Sequence, residues 1–195
     1  MKKFKTVTSC LALIFFLQQT EAQESTDKEW TAVSQYINVN EYIGKEFRLS
    51  ADAKVDLHDS NPWAGVWARV DLSNGKIGFF ENMGQNPIVE NRWKRYSISG
   101  TIDKEGTHLF FGAVVGGSGT FWFDNFQLEI LVNGDWIEIP VENAQFEKEA
   151  NDNVMPKWVE GIRFFDIWRA TNYEISSSTE TNMNKGFSLQ IRSQK

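Results

Sequence analysis

The chain has 195 residues, 41% of them hydrophobic and with eight Trp and fifteen Phe, at a mean hydropathy of -0.41. That is enough apolar material for one substantial core, and rings scattered among polar residues suit strands with one buried and one wetter face. A formal net charge of -6 with no basic stripe argues against nucleic acid and anionic membrane surfaces as partners.

The N-terminus has the layout of an export signal. Lys2, Lys3 and Lys5 precede the apolar run Leu11 to Leu17, and Thr20-Glu21-Ala22 fits the small-x-Ala cleavage rule. The expectation is a signal peptide over 1–22, no membrane span, and a periplasmic or extracellular protein starting at Gln23. Cys10 lies inside that leader, so the remainder offers no disulfide, thiol nucleophile or Cys-ligated metal. Residues 23–29 read as a loose polar leader, followed by a single domain over 30–195.

Glu29 to Ile37 fits a helical turn or a strand equally well. Tyr42 to Lys45 reads as a turn into a strand over Glu46 to Lys54, with Phe47, Leu49 and Ala51 on one side. His58 to Pro62 is a loop on composition. In the next strand Val66, Ala68, Val70 and Leu72 form an apolar face, which leaves Trp67, Arg69 and Asp71 together on the other. Asn74-Gly75 signals a tight turn to Ile77–Phe80. Residues 81–88 are an irregular crossing. Trp93 to Ser99 alternates, Thr107 to Val115 reads as a strand buried on both faces, and 116–119 turn the chain into Thr120 to Ile130. Asn133-Gly134 is a second hairpin turn, into Trp136–Ile139. Many short strands with turn signals and no long helix indicate an all-β antiparallel sandwich or jelly roll, with a body over 45–132. A closing segment over 143–193 carries Phe164 to Tyr173, a polar loop 176–184 and a final alternating strand from Gly186 to Ile191.

The set Trp67-x-Arg69-x-Asp71, Phe80-x-Asn82-Met83, Pro87-Ile88, Trp93-x-x-Tyr96, Phe111-Gly112, Gly117-x-Gly119 and Trp122-x-Asp124-Asn125 falls in one order. Over 45–132 it resembles the non-catalytic jelly-roll domain that precedes the catalytic domain of secreted bacterial tail-specific (C-terminal-processing) serine peptidases. Similar modules accompany erythromycin-esterase-like proteins and some transcription regulators. The resemblance implies a sandwich of the galactose-binding-like, carbohydrate-binding-module class. The tail's Asn143-x-x-Phe146-Glu147 and Gly186-x-Ser188-Leu189-x-Ile191 resemble the opening strands of such a sandwich. They either close the same sandwich, as in a circular permutation, or begin another domain; unprotected strand edges favour closure. The chain stops at Lys195, where a peptidase domain would begin, so proteolysis is not carried over.

Trp67, Arg69 and Asp71, with Trp63, Phe80, Asn82 and Trp93 as neighbours, are the candidate ligand site: rings to stack a sugar and charges to bond hydroxyls. The competing account is a structural Arg–carboxylate pair with Trp67 covering a sheet edge or packing on a partner. The resemblance also implies that Asp124 and Glu147 share a structural Ca²⁺, for which oxygen ligands are suited; alternatively Asp124 bonds backbone N–H groups at a bulge. Neither His58 nor His108 has a nucleophile motif beside it, and nothing singles out Asp71 and Glu81 as a glycosidase pair. The residues 116–119 lack the Lys of a phosphate loop. The expectation is therefore a non-enzymatic module binding a glycan, or docking on an envelope or secreted protein such as a peptidase. A recess lined by rings favours the first and a flat apolar patch the second.

Overall fold

The computed structural model describes residues 24–26, 28–58, 62–163, 166–181 and 186–194. The expected signal peptide over 1–22 and residues 59–61 of the expected loop lie outside these. The strands are β1 (Glu24–Thr26), β2 (Trp30–Asn38), β3 (Glu46–Leu57), β4 (Trp63–Leu72), β5 (Ile77–Glu81), β6 (Lys94–Thr101) and β7 (Gly106–Gly116). They continue with β8 (Gly119–Val132), β9 (Asp135–Ile139), β10 (Val159–Arg163), β11 (Asp166–Ala170), β12 (Tyr173–Ser178) and β13 (Ser188–Ser193). One 3-10 turn, Asn40–Tyr42, stands between β2 and β3.

Two sheets face each other. The first has the order β1-β11-β10-β2-β7-β4-β5, and the second β12-β13-β8-β3-β6 with β9 also on β8. From β2 to β8 the chain passes repeatedly between them, giving a jelly-roll β-sandwich. The pairings are antiparallel except that of β1 with β11, which is parallel. Residues 24–26 are thus a strand rather than the loose leader expected from their polarity. The edge of β11 offers backbone groups that any sequence can pair with. Likewise the stretch expected as a loop from 176 is strand through Ser178, because its serines pair with Ser188 to Gln190 across β13. Glu29 to Ile37 resolves as strand.

Period-two alternation builds the core. Phe47, Leu49, Ala51, Ala53 and Val55 of β3 meet Ala64, Val66, Ala68 and Val70 of β4, with Phe111, Phe121, Phe123 and Leu128 between them, all fully buried. Each such side chain contributes roughly 1.5–3 kcal/mol through removal from water. The Asn133-Gly134 turn has φ of 55° and 95°, the left-handed pair a two-residue hairpin requires. The closing segment supplies strands to both sheets: β10 pairs with β2, and β13 with β8. Phe146 is fully buried there, its ring 5.3 Å from that of Trp158 and 6.0 Å from that of Phe126.

Candidate functional site: an aromatic groove on the outer face of the first sheet

Alternation that sends Val66, Ala68 and Val70 inward sends Trp63, Gly65, Trp67, Arg69 and Asp71 outward. Register across β4, β7 and β2 then sets side chains in rows: Trp63–Gly116–Trp30, Gly65–Val114–Ala32, Trp67–Gly112–Ser34, Arg69–Phe110–Tyr36 and Asp71–His108–Asn38. Small residues alternate with rings, and the Trp63 indole lies along the sheet. Gly116 makes this possible, since a Cβ there would come within 2.5 Å of the Trp63 Nε1.

These rows floor a groove of about 350 Å³. Trp30, Trp63, Trp67, Arg69 and Val114 line it from the sheet, Ile77, Phe80 and Asn82 from the β5 side, and Ile162 from β10. Trp67 is 2% exposed, and its indole Nε1 is buried with no hydrogen-bond partner among the described residues. Phe80 is 54% exposed. At the far end Arg69, 3% exposed, sets its Nε 2.7 Å from Asp71 Oδ1 and donates from Nη2 to the Ile162 carbonyl at 3.1 Å. Its guanidinium lies 5.5 Å from the Phe110 ring centre. The Nε of Arg163 stands 3.4 Å from Asp71 Oδ2, so this one carboxylate ties β10 to β4 across the face.

Of the seven residues expected at the site, Trp63, Trp67, Arg69, Phe80 and Asn82 meet in the groove, and Asp71 stands behind Arg69. Trp93 does not join them: it immediately precedes β6, a strand of the opposite sheet, and its own Nε1 is buried without a partner among the described residues. Its clean alternation with Tyr96 marks a strand but carries no information on which sheet that strand enters. Trp30, Ile77, Val114 and Ile162 were not anticipated. Trp30 was findable, because reading 29–37 as a strand places it on one side with Ala32, Ser34 and Tyr36; Ile162 needed the pairing of β10 with β2. Asp71 and Glu81, which nothing singled out as a glycosidase pair, have other duties. Asp71 is held by arginines, and Glu81 Oε1 accepts the backbone N–H groups of Asn82 and Met83 at 3.0 and 2.7 Å.

No family model matches the chain. Over 145 residues, 69% of its length, it is 27% identical to an uncharacterized HTH-type transcriptional regulator, YbfP, of Bacillus subtilis (strain 168). That match takes in 48% of the regulator, so the chain spans about half the length of the curated relative it matches. Among solved structures, the CBM22-1 xylan-binding domain of Paenibacillus barcinonensis Xyn10C aligns at 13% identity with a TM-score of 0.37, over 55% of this chain and 89% of that domain. A likeness so loose carries no argument about the ligand of this chain.

The outer face of the second sheet is built differently. Asp124, 2% exposed, sits at a bulge where β8 loses register with β3; Asn125 takes φ of 50° and its N–H donates to Asp124 Oδ1 at 2.7 Å. Burial, with the Asp52 and Glu147 carboxylates nearby, pushes Asp124 up to about 7. The Glu147 carboxylate lies against Gly186, where a Cβ would collide with it. An all-oxygen anionic pair suits Ca²⁺ in kind. In number it falls short, since among the described residues no three His, Cys, Asp or Glu side chains converge on one point. Beside it, Arg95 donates to the Asn125 carbonyl, Ser50 Oγ and Gln127 Oε1 at 2.7, 3.3 and 3.0 Å. Among the described residues no helix is long and apolar enough to cross a membrane.

Proposed function

We propose that this chain is an exported, non-catalytic carbohydrate-binding module whose site is the groove over Trp63 and Trp67. The observation that carries the reading is Trp67 itself. It is a nearly fully buried indole on the floor of a recess, and its N–H has no acceptor among the described residues. Buried polar groups are ordinarily paired, so a ligand oxygen completes this one. Pyranose rings present C–H faces that stack on indole planes while their oxygens reach polar groups at the edge, and Phe80 and Asn82 form such an edge. A recess rather than a flat patch also supports this reading over docking on an envelope protein or peptidase. Export rests on the basic leader and cleavage pattern of residues 1–22.

The test is binding to a broad glycan array by wild type, Trp67→Ala and Phe80→Ala. Selective binding, lost in both variants while their circular dichroism matches wild type, is the expected result. An array blank for folded wild type refutes the reading and moves the groove to a protein partner. Calcium is a separate proposal, with Asp124 and Glu147 as its side-chain ligands. It predicts a Tm several degrees higher in millimolar Ca²⁺ than in EDTA, with the difference abolished in Glu147→Gln; equal Tm values dismiss it.

A further inference from the structure

The groove's polar side chains are of one kind. Trp30, Trp63 and Trp67 bring indole N–H groups, which only donate, and Arg69 likewise has no acceptor. Asn82 is fixed in orientation because its Oδ1 accepts the Gly84 N–H at 2.9 Å. That commits one lone pair of the Oδ1 to the protein and leaves the Nδ2 amide as a donor. Among the described residues no carboxylate or hydroxyl side chain lines the recess, and Asp71, behind it, faces Arg69 at 2.7 Å.

A sugar hydroxyl both donates and accepts. Pressed into this groove, its oxygen could take the Trp67 N–H, but its own proton would meet no carboxylate or hydroxyl acceptor among the described residues and lose its water, which is the costly outcome. A carbonyl or carboxylate oxygen has no such proton. We infer that the groove selects glycans bearing an acceptor-only substituent, the carbonyl of an acetamido group or the carboxylate of a uronic acid, over unsubstituted neutral glycans. This rests on the carbohydrate reading above and sharpens it. The Trp67 N–H and Asn82 Nδ2–H hold the acceptor, while Trp63 and Phe80 cover the ring that carries it.

Matched pairs separate the two sources and test the whole. Chitotriose and cellotriose share one backbone and differ in the 2-acetamido group; trigalacturonic acid and galactotriose form the carboxylate comparison. By titration calorimetry, at least one substituted sugar is expected to bind roughly tenfold tighter than its plain counterpart, about what one well-made hydrogen bond supplies. Trp67→Phe keeps an aromatic plane but removes the donor, and is expected to bring that ratio close to one. Asn82→Asp keeps the oxygen that caps Gly84 and replaces the donor with an anion. It should weaken a uronate more than an acetamido sugar.

Equal affinities within both pairs, or array hits confined to unsubstituted glycans, overturn the inference and leave the carbohydrate reading intact. A preference that survives Trp67→Phe and Asn82→Asp in folded protein overturns it too. Failure of every glycan to bind defeats the carbohydrate reading itself, and this inference with it.

Discussion

The two outer faces of the sandwich come from the same alternation yet reach opposite chemical states. On the second sheet a cavity of about 650 Å³ runs over Asp52, Arg95, Gln127 and Glu138, and these groups bond one another and their neighbours: Arg95 to four oxygens, Gln127 Nε2 to Glu138 Oε2 at 3.3 Å, Asn125 Nδ2 to Asp52 Oδ2 at 2.8 Å. The groove on the first sheet is smaller, and the buried Trp67 N–H on its floor is unspent. Volume therefore ranks the faces one way and hydrogen-bond accounting the other. A saturated face offers a ligand only an exchange of partners, whereas an unsaturated apolar recess gains both burial and a bond. That is why the smaller recess is the better candidate.

The ion pairs differ in the same sense, and breaking them gives the largest contrast. Asp71 faces Arg69, whose side chain is 3% exposed, whereas the Arg95 side chain is 40% exposed beside Asp52. Asp71→Ala leaves a buried guanidinium without its carboxylate and removes the Asp71–Arg163 tie between β4 and β10, so urea unfolding should show a loss of about 3–5 kcal/mol. Arg95→Ala, on the wetter face, should cost about 1 kcal/mol. Should Asp71→Ala fail to fold, Asp71→Asn keeps the shape and should still fall below Arg95→Ala in stability. Equal losses would mean that the groove's ion pair is as solvated as the other.

A smaller effect separates interior from faces. Glu160, 8% exposed, accepts the Thr31 hydroxyl at 2.6 Å and the Ala170 N–H at 2.9 Å, yet burial raises its pKa, with those bonds and Arg169 opposing. The folded state then holds its proton at pH values where the unfolded chain has released it. Stability falls as pH rises from the ordinary carboxylate range through the raised folded value, and is flat on either side. Glu160→Gln keeps the acceptor oxygen and removes the charge. Its Tm should exceed wild type by a few degrees at pH 7.5 and match it near pH 3.5. An unchanged pH profile would show that Glu160 is ionised and compensated in the folded protein.

How far the sequence carried follows from the range of each interaction. Alternation along 63–72 is local, so it separated Trp67, Arg69 and Asp71 from Val66, Ala68 and Val70, and the fold class followed from many such strands with Asn-Gly turns between them. Phe80 and Asn82 were reachable because a short hairpin returns them beside β4. Trp93 was misplaced for the opposite reason: β6 enters the other sheet, and nothing in its own residues says so. Ile162 and Arg163 reach the groove only through pairing between β10 and β2, which are more than a hundred residues apart in the chain. The polarity of 24–26 likewise hid β1, whose pairing uses backbone alone.

The smallest effect isolates the groove's floor from its stability. Two glycines lend themselves to the comparison. A Cβ on Gly116 would meet Trp63 Nε1 at 2.5 Å and Cδ1 at 3.1 Å, so Gly116→Ala must lift the indole off the sheet. The side chain can swing outward, which limits the cost to about 1 kcal/mol. Gly44 has φ of 72° with nothing within 4 Å of the built Cβ, so Gly44→Ala costs about 1 kcal/mol through backbone strain alone. The variants should therefore unfold at similar urea concentrations. They should part in ligand affinity and in Trp emission: Gly116→Ala lowers the first and shifts the second, because it moves a ring that lines the recess, while Gly44→Ala leaves both as in wild type. If the two behave alike in binding, the flat seating of Trp63 over Gly116 serves packing only, and the site shrinks to Trp67, Phe80 and Asn82.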